Sequence, residues 1–405
     1  MFMTTMKQPE NFIKMGNILF GIDSFIKQTA TFKKISFGLV TNNAATTSHG
    51  ILSRTALLQA GFTISKLFSP EHGLTAKGED GVYQSNSIDS LTQLPIISLY
   101  GDHLIPTAKD LADIDMVLFD IPDVGCRFYT YLWTMTYVME ACALHNKPFI
   151  LLDRPNPIGA DIDKAEGPLL DEKNCSSFIG RWNIPVRHSC TLGELATFFA
   201  ATRIKNLNPD IIKVQNWNRK KIASEAGWNF VPASPAIQDA ETALLYPGMG
   251  LLEGINVNEG RGSDWPFKIA GAPWIDSQQL NTAFNNLQFP EIKSTAISYI
   301  PEWGLHAGEV CQGLQFSITD TKNFRPVETG LQLLQLIISL YPEQCKERLY
   351  PTIANPSGSG HLDKLTGVHH SFEKIKNGEL TYTTLQPTDP IAIVWKEIIQ
   401  PYLLY

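Results

Sequence analysis

Met116-Val117-Leu118-Phe119-Asp120 reads as a short buried strand that runs into a broken polar loop, Ile121-Pro122-Asp123-Val124-Gly125-Cys126-Arg127. Leu132 to His145 follows with helical length, and Phe149 to Asp153 (FILLD) is again a continuous apolar run. Neither strand alternates polar with apolar residues. A strand-helix-strand unit of this kind belongs to a parallel sheet covered on both faces. Working outward, Ile35 to Thr41 (ISFGLVT), Phe62 to Phe68 (FTISKLF) and Pro95 to Leu99 (PIISL) are further strands. Ile51 to Ala60, closed by Gly61, and Leu192 to Ala201 carry helical spacing. The fold class is α/β.

The texture changes in the second half. Pro232 to Gly262 is rich in Pro, Gly and Asn and predicts mostly loop and short helix. Gly313 to Ile318 is a strand pattern around Phe316, Gly330 to Leu340 an apolar helix, and Pro356 to Gly360 a turn. The expected division is 16–235 for a first domain and 236–405 for a smaller α+β domain. No internal repeat or low-complexity tract is present.

Composition narrows the function. The chain has 405 residues, 33 Lys+Arg against 40 Asp+Glu, and 43% hydrophobic residues. That balance excludes wholesale disorder and argues against nucleic acid held by a broad basic face. No apolar run approaches the roughly 18 residues of a membrane span. Met1 to Asn17 has two Lys but no continuous apolar stretch, so it does not read as a secretory signal. The compartment stays open between cytoplasm and, for a chain that has lost a leader, periplasm. The six cysteines show no CxxC spacing, which argues for free thiols rather than a zinc or redox motif. Cys126, inside the polar loop, is the one to watch. Oligomeric state leaves no mark in the sequence.

Ligands bind outside the carboxyl ends of strands in an open parallel sheet, so the residues after each strand are the first suspects. After the first come Asn42 and Asn43. After the second comes Ser69-Pro70-Glu71-His72-Gly73, then Gly78-Glu79-Asp80-Gly81. Pro70 and Gly73 fix a tight turn around Glu71, which suits a general acid or base. His72 is a proton-shuttle candidate, or else a structural histidine. Glu79 and Asp80 lie in a glycine-flanked loop that either folds over a ligand or is solvated. Of Asp120 and Asp123, one is expected to bond its own loop and the other to face substrate. Arg127 offers a planar fork for a carboxylate, with a neighbouring Asp as the alternative partner. Tyr129 and Tyr131 are candidates to stack on a sugar ring. Asn156, in Asp153-Arg154-Pro155-Asn156-Pro157, is a candidate contact in a rigid loop. From the second domain, Glu259 and Arg261 either close the cleft or pair with each other, and Trp265 and Trp274 would form an aromatic wall.

Several standard motifs are missing. No GxGxxG follows a strand, and Gly248-Met249-Gly250 does not qualify. There is no Walker A lysine, no HExxH and no GxSxG elbow. His369-His370 reads as a surface pair without nearby ligands. What remains is an enzyme of carboxylates and arginine, with no cofactor and no metal expected.

Ser69 to Gly73, Phe119 to Tyr131 and Asp153 to Pro157 together resemble the signatures of a known family. So do Tyr246-Pro247-Gly248 through Asn258 to Gly262 and Pro266-Phe267, and Gly271 to Trp274. This is the NamZ/YbbC family, long classed as a domain of unknown function. The resemblance runs from about Gly38 to the C-terminus, with the motifs in order. It implies a Rossmann-like N-terminal domain, a smaller C-terminal domain and an active site in the cleft between them. It also implies an exo-β-N-acetylmuramidase that releases N-acetylmuramic acid from the non-reducing end of peptide-free peptidoglycan fragments, in cell-wall turnover and recycling. The partner would be a MurNAc-GlcNAc oligosaccharide. Arg127 or Arg261 would then recognise the lactyl carboxylate. Glu71 is the expected acid or acid/base, with Glu79, Asp120 or Asp123 as the second carboxyl group and His72 and Tyr129 assisting. A substrate-assisted route stays open. So do two other readings: a non-catalytic sugar-binding protein on the same scaffold, and an esterase or amidase, which the missing motifs disfavour.

Overall fold

The computed structural model describes residues 18–380 and 390–405. The reading of Met1 to Asn17, and the first two residues of the expected first domain, lie outside them. The first lobe is built on seven strands: β1 (Ser36–Thr41), β2 (Thr63–Ser69), β3 (Ser87–Ile88), β4 (Pro95–Ser98), β5 (Met116–Asp120), β6 (Phe149–Leu152) and β7 (Asp210–Ile212). Their order is β3-β4-β2-β1-β5-β6-β7. Every pairing is parallel except that of β3 with β4. Leu39 and Val40 in β1, Leu118 and Phe119 in β5, and Leu151 and Leu152 in β6 are all buried, because helices cover both faces. The helix Tyr131–Leu144 buries nearly all of its surface, including Trp133 and Met135. The strand order reverses at β1, which pairs with β2 on one side and β5 on the other. Loops leaving the carboxyl ends on the two sides of such a point open a crevice between them.

The second lobe holds an antiparallel sheet of β8 (Ile269–Ala272), β9 (Ile292–Tyr299) and β10 (Cys311–Ile318), with β10 in the middle. Pro232 to Gly262 is loop and short helix, as its composition predicts. It contains the helix Ala240–Met249, started by Asp239, whose side chain accepts the Thr242 N–H at 2.8 Å. A 3-10 turn, Gly250–Gly254, follows directly. Ala240–Met249 crosses the helix Pro326–Leu340 through glycines. A β-carbon on Gly248 would lie 1.9 Å from the Pro326 carbonyl oxygen, and one on Gly330 2.4 Å from that of Gly248. The last segment returns to the first lobe, where Trp395 is fully buried and donates to the His188 carbonyl at 2.9 Å.

Candidate active site

The loop after β2 folds back on itself. The Gly73 N–H reaches the Pro70 carbonyl at 3.0 Å and the Gly78 N–H reaches that of His72, also at 3.0 Å. His72 (φ 65°) and Gly73 (φ 68°) are consecutive left-handed residues. For a histidine that conformation is uncommon, and strain of this kind concentrates at functional sites. The turn buries Glu71 and leaves it on the wall of a cleft between the lobes. One carboxyl oxygen, Oε1, accepts the Gly81 N–H at 2.8 Å. The Tyr100 hydroxyl lies beside the same carboxyl group. Burial pushes Tyr100 well above its ordinary range and the Glu71 charge adds to that, so it stays a protonated donor.

His72 Nδ1 lies 2.7 Å from the Gly78 carbonyl, which only accepts, so this nitrogen carries the proton. Its Nε2 faces Asp80 Oδ1 at 3.5 Å. Asp80 also meets Arg261 at 2.6 Å, and Arg261 pairs in turn with Glu253 at 3.0 Å and Glu259 at 2.9 Å. Burial opposes the charge on Arg261, but these carboxylates overcome it and hold the guanidinium well above its ordinary range. Glu253 is buried too, which pushes it up, yet Arg261 and His361 pull it below the usual carboxylate range. Tyr129, Tyr246, Phe267 and Tyr350 supply apolar faces to the same cleft. The space not filled by atoms is about 770 Å³, open solvent at the mouth included.

Glu71, His72, Tyr129 and Arg261 thus meet in one cleft, and several other expected residues do not. Asp120 is fully buried and held by Arg154, with Nε to Oδ1 at 2.6 Å and a second guanidinium nitrogen to Oδ2 at 3.0 Å. Asp123 accepts the Gly125 N–H at 2.8 Å and pairs with His188 at 3.1 Å. It faces a smaller cavity, beside Arg154 and Trp228, instead of the cleft of Glu71. Glu79 is exposed, and its neighbour Asp80 is the one that lines the cleft. Arg127 is buried away from it and donates to the carbonyls of Pro168, Ile184 and Leu365; burial pulls its pKa down to about 10. The expected fork for a carboxylate is therefore a structural tie.

Asn156 shapes its own loop, donating to the Cys190 carbonyl and accepting the Ile158 N–H. Asn42 likewise accepts the Ala44 N–H, and the Asn43 N–H reaches the Leu74 carbonyl; neither lines the cleft. Tyr131 backs Tyr129 edge-on, ring centroids 4.7 Å apart, and donates to the Ala233 carbonyl. Glu259 sits behind Arg261 and also pairs with Arg348. Trp265 is exposed and Trp274 packs on Tyr341, so the expected tryptophan wall is absent from the cleft. Cys126 is fully buried, and burial pushes its thiol well up, out of nucleophilic range.

Sequence reasoning passed over Tyr100, Glu253, Tyr350, His361 and Lys364, all on the cleft wall. Tyr100 follows β4, where the strand-end rule would have found it. Glu253, one acid in the run Gly250-Leu251-Leu252-Glu253-Gly254, carried the signal of a charge in an apolar stretch. His369-His370 does have a carboxylate neighbour. Among the described residues, Asp363, His369 and His370 bring ligand atoms within 4.8 Å of one another. The Asp363 oxygens already accept from His369 and from the N–H groups of His370 and Ser371, and the group lies outside the cleft.

A carboxyl group pinned by one oxygen, with a second carboxylate on the same cleft wall, is the equipment of a glycoside hydrolase. The family described as exo-β-N-acetylmuramidase NamZ matches with its N-terminal model over residues 37–241 and its C-terminal model over 244–405. The chain belongs to this family. It is 35% identical over 397 residues to the peptidoglycan β-N-acetylmuramidase NamZ of Bacillus subtilis strain 168, covering 97% of this chain and 92% of that protein. A crystal structure of a DUF1343 family protein from Bacteroides fragilis superposes with a TM-score of 0.85 at 29% identity, over 96% of this chain and 99% of that one. A second protein of the same description and organism gives a TM-score of 0.71 at 24% identity, with the same coverage, and shows the shared fold. No helix among the described residues is long and apolar enough to cross a membrane.

Proposed function

We propose that Glu71 is the general acid with which this chain hydrolyses a β-N-acetylmuramoyl glycoside, releasing N-acetylmuramic acid from the non-reducing end of peptide-free peptidoglycan fragments such as MurNAc-GlcNAc. This reaction belongs to cell-wall turnover and recycling. The observation that carries it is the way Glu71 is held. Gly81 donates to Oε1, which fixes the carboxyl group on the cleft wall, within reach of a leaving oxygen. Asp80 replaces the exposed Glu79 as the second carboxylate. It lies on the same wall, between His72 and Arg261. In this reading residues 16–235 supply the acid and 236–405 close the cleft, with Tyr246, Phe267 and Tyr350 offering ring faces to a sugar.

The test is hydrolysis of chromogenic β-glycosides of N-acetylmuramic acid and N-acetylglucosamine by wild type and Glu71→Gln. Gln keeps an oxygen for the Gly81 N–H but has no proton to give. Cleavage of the muramoyl compound, lost by about a hundredfold or more in the variant, is expected. Undiminished cleavage by Glu71→Gln would move the acid to Asp80.

A further inference from the structure

The leaving sugar's neighbour, N-acetylmuramic acid, differs from N-acetylglucosamine by a lactyl ether that ends in a carboxylate. An enzyme that requires it needs a cation able to meet it. Apart from histidines, two cations line the cleft, Arg261 and Lys364. Arg261 is already surrounded by Asp80, Glu253 and Glu259, all within 3.0 Å. A substrate carboxylate there would be a fourth anion around one guanidinium, and like-charge repulsion would oppose it. Arg127 lies outside the cleft, with its guanidinium donating to three backbone carbonyls.

Lys364 is in a different position. It lies on the helix His361–Thr366 and is half-buried on the cleft wall. Its Nζ donates to the Ser359 carbonyl at 2.7 Å, and none of the ion pairs among the described residues includes it. The neighbouring Asp363 carboxylate is turned to His369 and to the backbone N–H groups of His370 and Ser371. Asn355, also on the cleft wall, donates from Nδ2 to the same Ser359 oxygen at 3.4 Å. The Asn355–Gly360 turn thus gathers an ammonium and an amide around one carbonyl. The Asp363 charge lies near this ammonium, but the hydrogen bond it makes among the described residues goes to a neutral carbonyl, and a partly desolvated ammonium so placed gains more from an arriving carboxylate than a solvated one does.

We infer that Lys364, with Asn355 beside it, is the receptor for the lactyl carboxylate and so sets the preference for muramoyl over glucosaminyl glycosides. This rests on the muramidase reading of the cleft. The substrates for the test are the chromogenic N-acetylmuramic acid β-glycoside and the same compound with its carboxylate converted to the primary amide. Wild type, Lys364→Met and Lys364→Arg are compared, with circular dichroism as the check on folding.

Wild type should prefer the acid over the amide. Lys364→Met should lower kcat/KM on the acid by about 10- to 100-fold, the scale of one charge-assisted hydrogen bond. The loss should appear mainly in KM, and the amide should change by less than about twofold on the same grounds. Lys364→Arg should recover most of the loss. Equal losses on acid and amide, or an unchanged acid, overturn the role of Lys364 while leaving the muramidase intact. Equal cleavage of both compounds by wild type does the same. A folded wild type that cleaves neither removes the muramidase reading and this proposal together.

Discussion

At the scale of single residues, Gly81 sets the orientation of the carboxyl group that we propose as the acid. Its N–H holds Glu71 Oε1 at 2.8 Å, and its carbonyl accepts the Ile353 N–H from the second lobe at 3.2 Å. It sits at φ 69°, and a β-carbon there would lie 2.6 Å from Thr352 Cγ2. Gly81→Ala therefore meets both backbone strain and a clash. The expected result is a folded protein destabilised by about 1–3 kcal/mol whose kcat falls by about tenfold or more, since small misplacements of an acid are costly. Denaturant titration and steady-state kinetics check the two parts, and a variant with wild-type kcat removes Gly81 from the positioning of Glu71. The place of Glu71 on the cleft wall was legible because a strand end, a proline and a glycine all fall within Ser69 to Gly73. Asp120, Asp123, Arg127 and Asn156 satisfy the same strand-end rule and still miss the cleft. The rule locates a residue but not the partner that claims its side chain. Those partners, Arg154, His188 and the carbonyls of Ile184 and Leu365, are remote in sequence.

At the scale of elements, the strands legible in sequence were apolar runs of four or more residues, including β10, expected from Gly313 and observed from Cys311. β1, β2, β4, β5 and β6 each lie within a residue or two of their expected limits. β3 and β7 are two and three residues long, too short for any period to register. β8 is small-residue backbone, Ile-Ala-Gly-Ala, because β10 passes so close that a β-carbon on Gly271 would lie 2.5 Å from the Gln312 carbonyl oxygen. The 3-10 turn Gly250–Gly254 carries Glu253, whose place on the cleft wall the strand-end rule does not reach. It packs on the helix His361–Thr366 at Gly254, where a β-carbon would lie 2.6 Å from Leu362 Cβ. Two backbones in contact thereby bring Glu253 to Arg261 and His361. Its pKa is held below the usual carboxylate range, so the folded state releases this proton more readily than the unfolded chain. The stabilisation is then fully present above the unfolded value of about 4.3 and is lost as pH falls through the folded one. Glu253→Gln should cost about 3 kcal/mol near neutral pH, the low end for breaking a buried ion pair, because Asp80 and Glu259 still hold Arg261. Its deficit against wild type should shrink as pH drops from roughly 4 toward 3. Melting curves of the two proteins across that range test this, and a deficit that stays constant or widens in acid contradicts it.

At the scale of the molecule, the lobes are joined by buried polar groups as well as by apolar surface. Arg127 donates to Leu365, the Asp171 N–H reaches the Gly367 carbonyl, and Glu166 accepts the Val327 N–H. The returning C-terminal segment adds a strap. Tyr405 donates to Asp153 at 2.7 Å, the Leu404 N–H reaches Glu194 at 3.0 Å, and Trp395 donates to the His188 carbonyl. His188 also pairs with Asp123, so the strap presses on the loop after β5. None of this could be read from composition, because the partners are about two hundred residues apart in the chain. An unpaired buried donor or acceptor is costly, so separating the lobes exposes each other's orphaned groups at once. The two lobes should therefore unfold together. Trp395→Ala removes a fully buried indole and is expected to cost about 3–5 kcal/mol, typical of large-to-small substitutions in a core. The loss should appear as one cooperative transition shifted to lower denaturant with an unchanged slope. Amide exchange should accelerate by a similar factor in β5 and in β10, although only β5 belongs to the lobe that the tryptophan touches. Two separate transitions, or faster exchange confined to β5, would show that the strap stabilises its own lobe and leaves the other to fold alone.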